Sequence, residues 1–343
     1  MNEVINGRRE DEEQLMKQKI KKGKKIIRVF GITAAVIAVF MVIGALLHSI
    51  YFRGKYERIE PYGQLVDVDD GQMHIFPMGS GEKTILLLPG MGVPLPSAEF
   101  APLMRKLSEK YTVVCVEYFG TGFSSETSKP RTCQNYVEET KTALHQAGFK
   151  PPYVLMPHSI SGVYSEYYAA KYPEEVEAVI SLDGTSSVYY GEMPAIVKLL
   201  LPISGFQQAI GTTSLVTPLS VNKKNLLSNG YTEKEINDMI IFAGFSINDT
   251  VLEQISNSCE FIKQTMNLPF PETIPYFKII SKQTYETPNK QLEKIEITPR
   301  DYQHQHLARI GKHARYEILD GTHFIYINNA DRIAEITDDL LLK

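Results

Sequence analysis

Ser159 has the surroundings of a nucleophile. It lies in Pro157-His158-Ser159-Ile160-Ser161-Gly162, between the apolar run 153–156 and a helical pattern over 163–173. A strand that turns sharply at a serine and restarts as a helix lifts one hydroxyl clear of the backbone. The free N–H groups at the helix start then face any negative charge that develops beside it. A hydroxyl is a weak nucleophile until a base takes its proton. His323, in Gly321-Thr322-His323-Phe324 after the last strand-like run, is the candidate base. The pattern departs from G-x-S-x-G at Pro157 and at Ser161, with a glycine one place later at Gly162. Proline fixes its own φ and removes an N–H, so the turn has to accommodate both.

The elements that must position these residues read as alternating strands and helices. Runs 65–68 and 72–76 flank Asp69-Asp70-Gly71, a hairpin turn. Apolar runs 84–88, 112–116, 153–156 and 178–182 alternate with helical stretches near 98–109 and 133–147 and with the helix after Ser159. That rhythm predicts a mostly parallel sheet flanked by helices on both faces. It breaks after Asp183, and the next clear strand is 276–280. A structureless loop of that length is uncommon in a compact domain. Ile236, Ile240, Ile241, Ile255, Phe261 and Ile262 recur there at helical spacing, which predicts a helical insertion. Strand 314–319 and an amphipathic helix over 330–342, with Ile333, Ile336 and Leu340 on one face, close the pattern.

The chain is −4 overall, but residues 1–28 carry nine Lys/Arg against five Asp/Glu, a net +4, leaving −8 on the remainder. An acidic body argues against a nucleic-acid partner. Residues 29–52 contain no charge. At about 1.5 Å per residue such a run crosses a hydrocarbon core of about 30 Å. It is longer than the apolar core of a cleaved signal peptide, and Leu46-Leu47-His48-Ser49-Ile50 makes a poor cleavage site, so a retained anchor is expected. The lysine cluster before the run outweighs Arg53, Lys55 and Arg58 after it, which predicts a cytoplasmic N-terminus and a body on the outer face. Tyr51, Phe52 and Tyr56 fit interfacial anchors. Cys115, Cys133 and Cys259 are too few and too scattered for a disulfide framework or a zinc site. His304 and His306, two apart in a polar stretch, read as a solvated loop, and no metal or other cofactor is expected.

Five landmarks in order make the chain resemble the α/β-hydrolase fold superfamily over about residues 65–343. Leu88-Pro89-Gly90-Met91-Gly92 is similar to the oxyanion loop after the third strand. Tyr118-Phe119-Gly120-Thr121-Gly122-Phe123-Ser124 resembles the loop after the fourth. The Ser159 turn, Leu182-Asp183-Gly184 and Gly321-Thr322-His323 follow. The resemblance implies a serine hydrolase in which Ser159 attacks a carbonyl and His323 relays the proton. The backbone N–H groups of Met91 and Ile160 would hold the oxyanion. In many relatives the acid follows the seventh strand, where this chain reads Ser281-Lys282-Gln283-Thr284-Tyr285-Glu286. Some members instead place it where Asp183 stands. Asp183 is the favoured acid, Glu286 the alternative, and a dyad without a carboxylate the third reading. Asp320 is assigned to an Asp-Gly turn, and His158 to packing or orientation.

The expected organisation is a basic tail (1–28), a transmembrane anchor (29–52), a linker (53–64), a core (65–184 and 274–343) and a helical lid (185–273). The expected function is a membrane-anchored hydrolase of carboxylic esters, with a small acyl molecule as substrate. Phe206, Phe242, Phe245, Phe261 and Phe270 in the lid would suit an acyl chain, or would form the lid's own core. One alternative is a proline-iminopeptidase-like peptidase, with Glu192 and Glu260 available to hold a substrate amine. The other is a non-catalytic binding or sensing module on the same fold.

Overall fold

The computed structural model describes residues 2–189, 191, 193 and 195–342, with side chains from residue 16 onward except residue 18. Its centre is an eight-stranded sheet. The strands are β1 (Gln64–Val68), β2 (Gly71–Met78), β3 (Thr84–Leu88), β4 (Thr112–Glu117), β5 (Tyr153–Pro157), β6 (Val176–Leu182), β7 (Tyr276–Ser281) and β8 (Arg315–Leu319). Their spatial order is β1-β2-β4-β3-β5-β6-β7-β8. The β1–β2 and β2–β4 ladders are antiparallel, and every ladder from β4 across to β8 is parallel. Asp69 takes a left-handed φ of 50° in the β1–β2 turn.

The parallel strands are apolar at consecutive positions because both of their faces are covered. On β3, Leu86 and Leu88 join Val114, Leu155 and Val179 on one face, against helices Cys133–Gln146 and Ser161–Lys171. Ile85 and Leu87 join Val113, Val154 and Ile180 on the other, against helices Ala101–Leu107 and Ala330–Leu341. The chain leaves β3 towards β4 on one side and later adds β5 on the other. This reversal opens a crevice at the carboxyl ends of β3 and β5, the place where open α/β sheets hold ligands.

Between β6 and β7 lie helices Ala195–Ala209, Thr212–Ser220, Lys223–Ser228, Glu233–Ala243, Asp249–Ser256 and Ser258–Thr265. At the other end, helix Asn2–Leu46 runs through a π-helical turn, Leu47–Phe52, into Arg53–Tyr56. Within it Lys19–Tyr56 is long and apolar enough to cross a membrane. The basic stretch before residue 29 is helical and continuous with the apolar run. The segment after residue 52 is not a loose linker. Tyr56 packs on Phe242 and Phe245, with ring centroids 4.7 Å away in each case. Tyr62 donates to Asp238 at 2.7 Å. Tyr56, Ile59 and Tyr62 pack, partly buried, against the cluster of Leu95, Ala98 and Phe242.

Candidate active site

Ser159 follows β5 with a φ of +54°, a left-handed value that a side-chain-bearing residue adopts only when its surroundings enforce it. The enforcement is a set of backbone hydrogen bonds to both neighbouring strands. His158 N–H donates to Leu88 at 2.9 Å, and Thr185 N–H donates to the Ser159 carbonyl at 2.8 Å. Gly162 meets Gly184 so closely that an added Cβ would lie 3.2 Å from the Gly184 Cα, which explains a glycine one place beyond the usual position.

The structure brings Ser159, His323 and Asp183 together. His323 Nδ1–H donates to Asp183 Oδ2 at 2.7 Å, which leaves Nε2 to accept from the Ser159 hydroxyl at 2.9 Å. Asp183 ends β6 and is only 2% exposed. It also accepts from Ser281 N–H at 2.8 Å, Ser281 Oγ at 3.0 Å and Thr284 Oγ1 at 2.6 Å. Burial alone would raise its pKa. The hydrogen bonds from His323, Thr284 and Ser281 outweigh that and hold it below the ordinary carboxylate value. Glu286 does not reach His323. It lies on the surface, 3.2 Å from Arg300. Thr284, near the place where many relatives carry the acid, instead orients Asp183.

His158 is buried against the rings of His323 (centroids 4.8 Å), Phe324 and Tyr326, and its Nε2–H donates to the His323 carbonyl at 3.1 Å. Burial, reinforced by His323, pushes its pKa down to about 3, so it stays neutral. Ser161 is more than a tolerated departure from glycine. Its hydroxyl, fully buried, donates to the Pro89 carbonyl at 2.5 Å and lies 3.1 Å from the Tyr118 hydroxyl. It thereby ties the loop after β3 to the Ser159 turn. Met91, on that loop, and Ile160 line one cavity with Ser159 and His323. Among the described residues, neither backbone N–H is engaged in a turn or loop hydrogen bond. The arrangement places a hydroxyl, an imidazole, a buried carboxylate and two backbone N–H groups around one cavity.

The family profile of the alpha/beta hydrolase fold matches residues 83–201. The Bacillus subtilis protein YbdG is 28% identical over 328 residues, 93% of this chain and 98% of its own length. A pimeloyl-[acyl-carrier protein] methyl ester esterase of Xanthomonas oryzae pv. oryzae is 32% identical over 102 residues, 30% of this chain and 37% of the esterase. The crystal structure of the Cif epoxide hydrolase from Acinetobacter nosocomialis superimposes with a TM-score of 0.61 at 13% identity, covering 88% of this chain and 96% of that one. The chain has the α/β-hydrolase fold, and residues 83–201 match that family. The fold and its relatives support a hydrolase.

The cavity over Ser159 measures about 700 Å³. The five phenylalanines expected to meet an acyl chain do not line it. Phe261 and Phe270 pack into the main core, and Phe242 packs with Leu95 and Ala98. Phe245 stacks on His48, and Phe206 faces outwards. The apolar lining comes instead from Met91, Met193, Val197, Ile255, Ile262 and Leu292. Of the two carboxylates that could hold a substrate amine, Glu192 lies outside the described residues. Glu260 is exposed and pairs with Lys263 at 3.0 Å, away from the cavity.

His306 is not in a solvated loop. It lies in helix Pro299–Ile310, fully buried, where Lys278 Nζ donates to its Nδ1 at 2.9 Å and its Nε2–H donates to Glu166 at 2.7 Å. Burial, with Lys278 beside it, lowers its pKa to about 4. Lys278 also donates to Ser186, which lines the cavity. This buried network beneath the cavity floor has no signature in the local sequence pattern. His304 remains on the exposed side of the same helix, beside the Tyr285 hydroxyl at 2.9 Å. Asp320 is exposed and pairs with Lys282.

Proposed function

We propose that this chain is a membrane-anchored serine hydrolase that cleaves carboxylic esters. The observation that carries the reading is the continuous pair of hydrogen bonds from Ser159 through His323 to the buried Asp183. Ser159 Oγ bonds to the ester carbonyl carbon as its proton passes to His323 Nε2, and the carbonyl π pair moves onto oxygen. The Met91 and Ile160 N–H groups are assigned to that oxyanion. As the tetrahedral centre collapses, the C–O bond to the alcohol breaks and His323 returns the proton to the leaving oxygen. Water then repeats the sequence on the acyl-serine, releasing the acid. Asp183 holds the Nδ1–H tautomer and stabilises the imidazolium of each half-reaction. The anchor assignment rests on the uncharged run 29–52 within one long apolar helix, and the outer-face orientation on its flanking lysines.

The test is turnover of a short-chain p-nitrophenyl ester by the full chain in detergent. Turnover should fall by about 10⁴ or more in Ser159→Ala, leaving only binding and oxyanion contributions. Equal rates for the two folded proteins would refute the assignment.

A further inference from the structure

The insertion carries a row of apolar side chains that no other described residue covers. Between residues 192 and 223 the only charged residue is Lys198. On helix Ala195–Ala209, Ile196, Leu199, Leu200, Ile203 and Phe206 recur at three- and four-residue intervals and form one exposed stripe. Leu215, Val216 and Leu219 extend it onto helix Thr212–Ser220, with Leu199 66% and Leu219 87% exposed. A contiguous stripe of this kind on a soluble body marks an interaction surface.

Its position along the anchor helix selects the occupant. The turn between these two helices packs against that helix at Gly44, where an added Cβ would collide with the Ile210 carbonyl. One turn further on, His48 Nδ1 lies 2.9 Å from Ser214 Oγ, and the His48 ring stacks on Phe245 at 4.5 Å. Gly44 stands eight residues before the end of the uncharged run at Phe52, about 12 Å along a helix. If the bilayer ended below Gly44, only residues 29–43 would remain within it, a length of about 22 Å against a core of about 30 Å. The 210–211 turn therefore stands at bilayer depth, and the stripe runs from it.

We infer that residues 195–220 sit in the lipid bilayer beside the anchor, and that the ester taken by Ser159 is a bilayer-resident lipid entering from that side. The inference rests on the anchored-hydrolase reading and names its substrate class. Val197, on the same helix as the stripe, lines the cavity over Ser159, as does Met193 just before it. An acyl chain leaving the bilayer along this helix meets the cavity wall without crossing water. Transfer of a long acyl chain through water would instead expose its methylenes to solvent.

The chain has no tryptophan, so single substitutions give unambiguous reporters. Phe206→Trp, Leu219→Trp, Val36→Trp and the control Tyr316→Trp on β8 are each reconstituted as full chains in phosphatidylcholine vesicles with or without brominated acyl chains. The bromolipid should quench Val36→Trp, Phe206→Trp and Leu219→Trp at least twofold and leave Tyr316→Trp unchanged. Quenching of Val36→Trp alone would overturn the inference while leaving the anchor intact, and concentration-dependent dimerisation would then assign the stripe to a second copy. No quenching of Val36→Trp would remove the anchor and the inference with it. In the same vesicles, the paired change Leu199→Asp and Phe206→Asp should slow hydrolysis of a long-chain glycerol ester at least tenfold. Hydrolysis of a soluble short-chain ester should stay within twofold. Equal loss on both substrates, or loss on neither, would overturn entry from the bilayer; failure of the unmodified chain on the soluble ester would refute the hydrolase itself.

Discussion

Strand β5 and helix Ala195–Ala209 are both dominated by apolar residues, and they use them in opposite ways. Every residue of β5 is buried, and Val154 and Leu155 face different halves of one core. Helix Ala195–Ala209 has no buried residue. The difference separates two jobs of apolar surface. Around β5 it builds a rigid frame, in which the left-handed backbone at Ser159 and Asp183 is held by hydrogen bonds from adjacent strands. In the insertion it faces outwards, and a chain that leaves so much apolar surface uncovered needs a partner to cover it. On the proposed function, the carboxyl edge would supply the geometry of catalysis and the insertion the access.

Breaking the rigid side should have the larger consequences. Asp183→Asn keeps the shape but loses the carboxylate that sets the His323 tautomer, and turnover of a short-chain ester should fall by about 10⁴. Glu286→Gln, changed at an exposed carboxylate paired with Arg300, should stay within about twofold. The reverse ranking would place the acid at Glu286. Ser161→Ala comes next. It removes the buried link between the loop after β3 and the Ser159 turn, and its loss should lower kcat about tenfold to a hundredfold with little change in KM, because Met91 would no longer be held opposite Ile160. An unchanged kcat would reduce that hydroxyl to a packing group.

A smaller effect concerns stability. His158 and His306 have folded-state pKa values pushed down to about 3 and about 4, mainly by burial, against an ordinary 6.5. The unfolded chain takes up protons below about pH 6.5 that the folded chain refuses, so stability falls as pH drops from there towards the folded values. Thermal unfolding of the full chain in detergent should show Tm falling between pH 7 and pH 4, with a shallower slope in His158→Gln. A parallel slope in the variant would mean that His158 is not buried as a neutral ring.

Much of this frame is legible in the chain because its signals are local. Apolar runs at β3 to β7 and their spacing specify strands, and the break after Asp183 shows where helices replace them. Ser159 and His323 stand out because a small set of residue types brackets each. What stays hidden depends on contacts between distant parts of the chain. Ser161 reads as a departure from glycine until Pro89 and Tyr118 are seen beside it. Thr284 reads as a missing acid until its hydroxyl is seen on Asp183. His306 sits in a polar sequence, yet Glu166, Lys278 and its helix bury it completely. The lid phenylalanines fit an acyl chain by composition alone, whereas packing spends most of them on the core and leaves the cavity to Met91, Met193 and Val197.

The central claim is that Ser159 is an activated nucleophile, and covalent trapping tests it most directly. The full chain in detergent is treated with a fluorophosphonate, digested, and the adduct located by mass spectrometry. The account predicts one phosphonylated serine, Ser159, no adduct in Ser159→Ala, and labelling slowed at least a hundredfold in His323→Ala. A folded protein that takes no label, or takes it at another serine with Ser159 left free, would contradict it.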